Sequence, residues 1–207
     1  MIRFEFEKKG TAIYMSHLDL MRCMTRALTR AEIPVKFTEG FNPHPYLVFA
    51  APLALGISGE KEYFEIKITE EMPLKEMKDR LNRTLPTGLK ILAVTESARD
   101  FNDIESASYE VFAEGRTAAD WETFFAADTI PTEKKTKRGM ETIDMKTEIL
   151  DCKAEDTEGG VLLHLHLPCG NRRNLSPLLV VKTFVRDDEV YYTAARKCFF
   201  DKNARLF

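Results

Sequence analysis

Ile2-Arg3-Phe4-Glu5-Phe6-Glu7, followed by Ser16-His17-Leu18-Asp19-Leu20-Met21-Arg22-Cys23-Met24, decides how the N-terminal half of this chain folds. In the first segment apolar and charged residues alternate, the period of a strand with one buried face. In the second, Ser16 with Asp19 has the form of a capping box, and Leu20, Met24, Ala27 and Ala31 then recur at helical spacing. Strand followed by amphipathic helix is the opening of a β-α-β unit. Ile33 to Phe37 reads as the second strand, closed by Gly40, and Tyr46 to Ala51 as an extra strand or part of the connection that follows. Glu62 to Thr69 is a third strand, with Phe64, Ile66 and Ile68 on one face. Pro73 opens a helix to about Leu85, Pro86-Thr87-Gly88 breaks it, and Leu89 to Thr95 is strand again. The order β-α-β-β-α-β predicts a ferredoxin-like unit.

Working outward, residues 98–107 are polar and unpatterned and read as a linker between a unit at 1–97 and another at 108–207. The same pattern recurs in the second. Tyr109 to Ala113 is strand-like, Ala118 to Ala127 helical around Trp121, Phe124 and Phe125, and Glu133 to Lys137 a short strand. Lys146 to Ala154 and Val161 to Leu167 form a hairpin around Thr157-Glu158-Gly159-Gly160. Ser176 caps a helix with Pro177 at its first position, and Val190 to Ala194 closes the unit. The expectation is an α+β protein of two tandem ferredoxin-like (βαββαβ) units.

Composition removes several classes of function. With net charge -3 and 44% apolar residues over 207 positions, the chain has material for real cores and is no wholly basic nucleic-acid binder. The N-terminus is charged at every second position, unlike a signal peptide, and no apolar run approaches a membrane span. Cys23, Cys152, Cys169 and Cys198 show neither CxxC nor CxxxCxxC spacing, which argues against an iron–sulfur cluster or a cysteine-held zinc. There is no Walker loop, GxSxG or HExxH. A cytoplasmic protein with reduced thiols, no membrane association, and no metal or other cofactor is the plain expectation.

In a β-α-β-β-α-β unit the first helix starts at the end of the sheet where the second strand finishes. Ser16, His17 and Asp19 are therefore expected beside Glu39-Gly40-Phe41-Asn42-Pro43-His44-Pro45. Pro43 and Pro45 stiffen the backbone that carries Asn42 and His44. Lys8 and Lys9 lead into the helix N-terminus, so the place suits a phosphate. Arg22, Arg26 and Arg30 form a basic stripe along the helix. The candidate ligand- or phosphate-binding residues are thus Lys8, Lys9, Ser16, His17, Asp19, Arg22, Arg26, Asn42 and His44. Each has a plainer competitor: Ser16 and Asp19 as a cap only, the arginines as a solvated face, Asn-Pro-His-Pro as a structural turn. His17, Asp19 and His44 are metal-ligand types, but their spacing matches no known motif. Lys134, Lys135, Lys137 and Arg138 make a second basic cluster, and Arg172 and Arg173 precede the cap at Ser176. His164 and His166 read as ordinary strand residues. Arg3, Glu5 and Glu7 offer no stacking platform on the first strand.

The stretch from Phe4 to Gly56 resembles a bacterial family of radical-SAM-linked proteins, a domain of unknown function found beside a radical SAM enzyme or fused behind one. The resemblance is carried by Tyr14-Met15-Ser16-His17-Leu18-Asp19-Leu20-Met21-Arg22, Arg26-Ala27, Arg30-Ala31 and Ile33-Pro34-Val35. It continues through Gly40-Phe41-Asn42-Pro43-His44-Pro45 and Pro52-Leu53-Ala54-Leu55-Gly56, with Asn174-Leu175-Ser176-Pro177 the best later point. The resemblance implies a context: a radical SAM protein as partner, and RNA (tRNA or rRNA) as substrate, from an association with ribosome- and RNA-processing genes. Lacking the CxxxCxxC that holds a SAM-cleaving cluster, this chain would contribute recognition. The alternative is a stand-alone enzyme using His17 or His44 as general base or metal ligand; whether the chain is an enzyme stays open at this point.

Overall fold

Burial alternates from Phe4 to the end of β1 (Ile2–Lys8), where Phe4, Phe6 and Lys8 are buried and Glu5 and Glu7 half-buried. The structure, a computed structural model, describes residues 1–136, 139–170, 173–186 and 189–207. It divides into two units, Met1–Ile104 and Glu105–Phe207. The class is α+β, with four α-helices among the described residues.

In the first unit, α1 (His17–Arg30) buries Leu20, Met24, Ala27 and Leu28. Ser16 in extended conformation starts it, its Oγ accepting from Asp19 N, and Glu32, at φ 52 in the left-handed region, follows its end. Three further strands follow: β2 (Leu47–Phe49), β3 (Ile57–Ile66) and, after α2 (Leu74–Thr84), β4 (Leu89–Glu96). Their order is β4-β1-β3-β2, every neighbour antiparallel. The core joins Phe4, Phe6, Phe64 and Ile66 of the sheet to Leu20, Met24 and Leu28 of α1 and Met77 and Leu81 of α2. Phe4 and Phe64 stack nearly parallel at 4.7 Å, and Phe49 tilts onto Phe64 at 5.6 Å. Where the β1–β4 register slips between Glu5 and Phe6, α2 supplies the missing bonds. Asn82 Nδ2 donates to Ile91 O, its Oδ1 accepts from Ile91 N, and Lys78 donates to Leu92 O.

The sheet edge departs from expectation. The strand expected over Ile33–Phe37 is reduced to isolated bridges, Val35 to Ile68 and Phe37 to Pro45, and the second strand is the later Leu47–Phe49. Both pieces pair with the same partner segment, so the edge is one line interrupted by the 37–45 excursion.

In the second unit, β5 (Ile104–Glu114) begins within the stretch expected to be a linker, just after a 3-10 turn at Phe101–Asp103. α3 (Ala118–Ala126) opens with a full capping box between Thr117 and Asp120. β6 (Pro131–Thr136) and β7 (Gly139–Asp144) form a separate two-stranded ribbon. β8 (Asp151–Thr157) and β9 (Gly160–Pro168) are the expected hairpin, shifted at its start because Met145–Thr147 is a 3-10 turn. α4 (Pro177–Val185) starts at the Ser176 cap, and β10 (Tyr192–Asp201) closes the unit, longer and later than the expected Val190–Ala194. The order is β10-β5-β9-β8.

Candidate functional site

Direction along the sheet decides what meets the start of α1. β1 and β2 both run antiparallel to β3, so they are parallel to each other. β1 delivers the chain to α1, and β2 finishes at the same end. Because β2 is Leu47–Phe49, the Gly40–Pro45 loop precedes it and is rooted toward the opposite end. The expectation that the loop adjoins Ser16–Asp19 is therefore corrected: topology was applied to the wrong strand. What reaches the helix start is Phe49 and the segment after it. His17 packs its ring edge on Phe49 at 5.3 Å, and Gly56 N donates to Ile13 O at 2.9 Å. The loop leaves the edge where Lys36 N donates to Lys67 O, whereas Phe49 pairs with Phe64, about 10 Å along β3 at ~3.3 Å per residue.

At the helix start the polar groups serve the chain itself. Lys8 was expected to face an anion; it is 1% exposed, and its Nζ donates to Met15 O at 2.9 Å and Ile13 O at 3.3 Å. Lys9 is exposed beside Glu7 at 2.9 Å, its position set by a bond from its N–H to Gly88 O. Gly88 sits at φ +91, where an added Cβ would lie 2.4 Å from Lys9 O. Ser16 Oγ donates to Asp19 Oδ2 at 2.7 Å while accepting from Asp19 N, and Arg22 Nη1 reaches Asp19 Oδ1 at 3.3 Å. The Ser16 hydroxyl first, and then Arg22, hold the Asp19 carboxyl below its usual range. Arg22 and Arg26 are exposed along α1, while Arg30 is spent on Thr84 O, closing the end of α2. Burial pushes the Cys23 thiol up, against the pull of Arg30 and Arg26.

The Gly40–Pro45 loop is a hairpin fastened at its root. Thr38 N donates to His44 O at 2.8 Å, His44 N to Thr38 Oγ1 at 3.1 Å, and Tyr46 N to Lys36 O at 2.8 Å. Lys67 Nζ lies over the Tyr46 ring at 4.4 Å. His44 Nδ1 lies 3.2 Å from Pro45 O. Asn42 and His44 are exposed, and at the tip Phe41 is fully exposed.

The sequence reading missed the exposed apolar group at the other end: Tyr14, Leu18 and Leu55. Its signal was present in Pro52-Leu53-Ala54-Leu55-Gly56, which follows the true β2. Among the described residues, no group of three or more His, Cys, Asp or Glu could hold a metal ion, and no helix is long and apolar enough to cross a membrane. Of the second basic cluster, Lys134 donates to Asn174 O at 2.6 Å, and Lys137 and Arg138 lie outside the described residues. Arg172 also lies outside them, and Arg173 pairs with Glu148 at 3.1 Å.

These features define an α+β protein whose first unit presents an exposed basic helix face and a fastened aromatic hairpin. The chain belongs to the family described as an uncharacterized protein conserved in bacteria (DUF2344), whose model matches residues 1–177. Among curated proteins none matches it. Of solved structures, the crystal structure of an unknown protein from Galdieria sulphuraria is similar over 94% of this chain and 96% of that one, at 12% identity and a TM-score of 0.30.

Proposed function

We propose that this chain is an accessory recognition module for a radical SAM partner enzyme, binding RNA or another phosphate-bearing ligand through its first unit. The observation that carries the reading is Phe41, fully exposed at the tip of a hairpin whose root is hydrogen-bonded. A side chain held out on an ordered loop loses little further entropy on binding. Unpaired bases stack on exposed aromatics while cations meet the phosphates, and Arg22, Arg26 and Lys9 are among the exposed cations of the first unit. Each unit is read here as ferredoxin-like. In support, the strands of each unit follow the order fourth-first-third-second, the ribbon being an insertion in the second unit.

Binding of total tRNA and of rRNA fragments, measured across a salt series, tests the function. Affinity should fall steeply with salt, and an Arg22→Ala/Arg26→Ala chain should bind about tenfold more weakly with a shallower slope. Absent or salt-independent binding overturns the reading. A second reading, a docking surface for the partner enzyme, is favoured by the exposed Tyr14, Leu18 and Leu55. Under it, a Leu18→Ser/Leu55→Ser chain would lose co-purification with the radical SAM protein and keep its RNA affinity.

A further inference from the structure

A cavity of about 390 Å³ opens on the sheet of the second unit, lined by Ser108, Glu110, His164, His166, Lys197 and Phe200 among others. Alternation puts these side chains together. Tyr109, Val111, Leu163 and Leu165 are buried on one face, so Ser108, Glu110, His164 and His166 share the other. In register, Ser108 stands opposite His166, and Glu110 opposite His164. His164 and His166 are thus more than isolated strand residues; they floor a concavity of the size small ligands occupy.

The contacts sort into an aromatic part and a polar part. The His166 ring lies 4.8 Å from the Phe200 ring, and its Nε2 is 2.7 Å from Ser106 Oγ, which fixes the imidazole plane. Burial lowers the affinity of His166 for a proton, against the pull of the Asp151 carboxylate, and the ring presents an aromatic face to the cavity. Beside it, Lys197 Nζ donates to Glu110 Oε2 at 2.9 Å, setting that carboxylate and an ammonium side by side at the cavity, whose lining also holds Asp151. His164 Nδ1 stands 3.9 Å from Glu110 Oε1, too far for a hydrogen bond. Two acceptor oxygens next to a cationic donor complement a base edge that reads donor, donor, acceptor. Guanine has that edge in N2–H, N1–H and O6; adenine places a ring acceptor where guanine has N1–H.

We propose that this cavity binds a guanine base, its ring against Phe200 and His166, its N1–H and N2–H donated to Glu110 and its O6 accepting from Lys197. The site lies wholly in the second unit and does not rest on the RNA reading of the first. The test is calorimetric titration of the full chain with guanosine 5′-monophosphate and, separately, adenosine 5′-monophosphate. Saturable binding of the guanine nucleotide is expected, with the adenine nucleotide about tenfold weaker or more. Glu110→Gln should erase that preference. Phe200→Ala should weaken guanine binding about tenfold. Should Phe200→Ala fail to fold, Lys197→Met, at a half-exposed position, carries the same expectation. Lys75→Ala on α2 should change nothing. No saturable binding at millimolar nucleotide, equal affinity for the two bases, or a preference that survives Glu110→Gln each overturns the proposal. Guanine binding with no RNA binding by Arg22 and Arg26 would leave this site standing and remove the other.

Discussion

The start of α1 and the hairpin at 36–46 look alike in sequence, each polar and each carrying a histidine, and they are opposite kinds of structure. At the helix start, Ser16, Asp19 and Lys8 all turn back onto the chain, and Lys8 is buried. In the hairpin, hydrogen bonds gather at the root, between Lys36, Thr38, His44 and Tyr46, and the tip holds Phe41 out. One is a joint and the other presents a side chain. The difference lies in where backbone and side-chain bonds are spent, which residue type alone does not reveal.

The comparison breaks most readily at Lys8. Removing it deletes a buried stem and the donor to the Ile13 and Met15 carbonyls, so Lys8→Ala should lower the unfolding free energy in urea by about 3 kcal/mol. A loss below about 0.5 kcal/mol would mean that the ammonium does not hold the joint. Gly88→Ala tests the same joint from the turn that leads into β4. Its Cβ would meet Lys9 O at 2.4 Å in a left-handed backbone, and a loss of about 2 kcal/mol is expected in the same measurement.

What was legible in the sequence follows the range of the forces involved. α1, α2, α3 and α4 were readable because caps and apolar spacing act within a few residues: Ser16, Thr117 and Ser176 all cap as side chains. The second strand was misread because Ile33–Phe37 alternates while Leu47-Val48-Phe49 is apolar throughout, and how much of each pairs with distant Phe64–Ile68 has no local signal. That one error moved the hairpin to the wrong end and hid Leu55. Lys8 was misread for a related reason: a lysine at a strand end looks solvated until the 3-10 turn Gly10–Tyr14 closes over it. The polar row of His164, His166 and Glu110 crosses strands and has no local signature.

A smaller effect belongs to the cap. Ser16→Ala removes the acceptor for Asp19 N and should cost about 1 kcal/mol. Asp19 adds a pH dependence whose sign is fixed by its depressed folded pKa: the contribution is complete above the unfolded value near 3.8 and is lost as pH falls through the folded one. Urea midpoints of the native chain and of Asp19→Asn should therefore converge on acidification below about pH 4. A gap that stays constant down to pH 2 would assign the cap to the Ser16 hydroxyl alone.

The smallest expected change in stability is at Phe41, and it is the sharpest test of the contrast. A fully exposed ring contributes almost nothing to the core, so Phe41→Ala should leave the urea midpoint within about 0.5 kcal/mol of the native chain. The hairpin root does not depend on that side chain, because its bonds run through backbone groups and Thr38 Oγ1. RNA affinity, by contrast, should drop about fivefold or more, the loss of one stacked base, with the salt slope unchanged because no cation is removed. Unchanged affinity would make the hairpin a bystander and leave recognition to Arg22 and Arg26. A large loss of stability would show that Phe41 is packed in solution and that the two regions differ less than their bonding indicates.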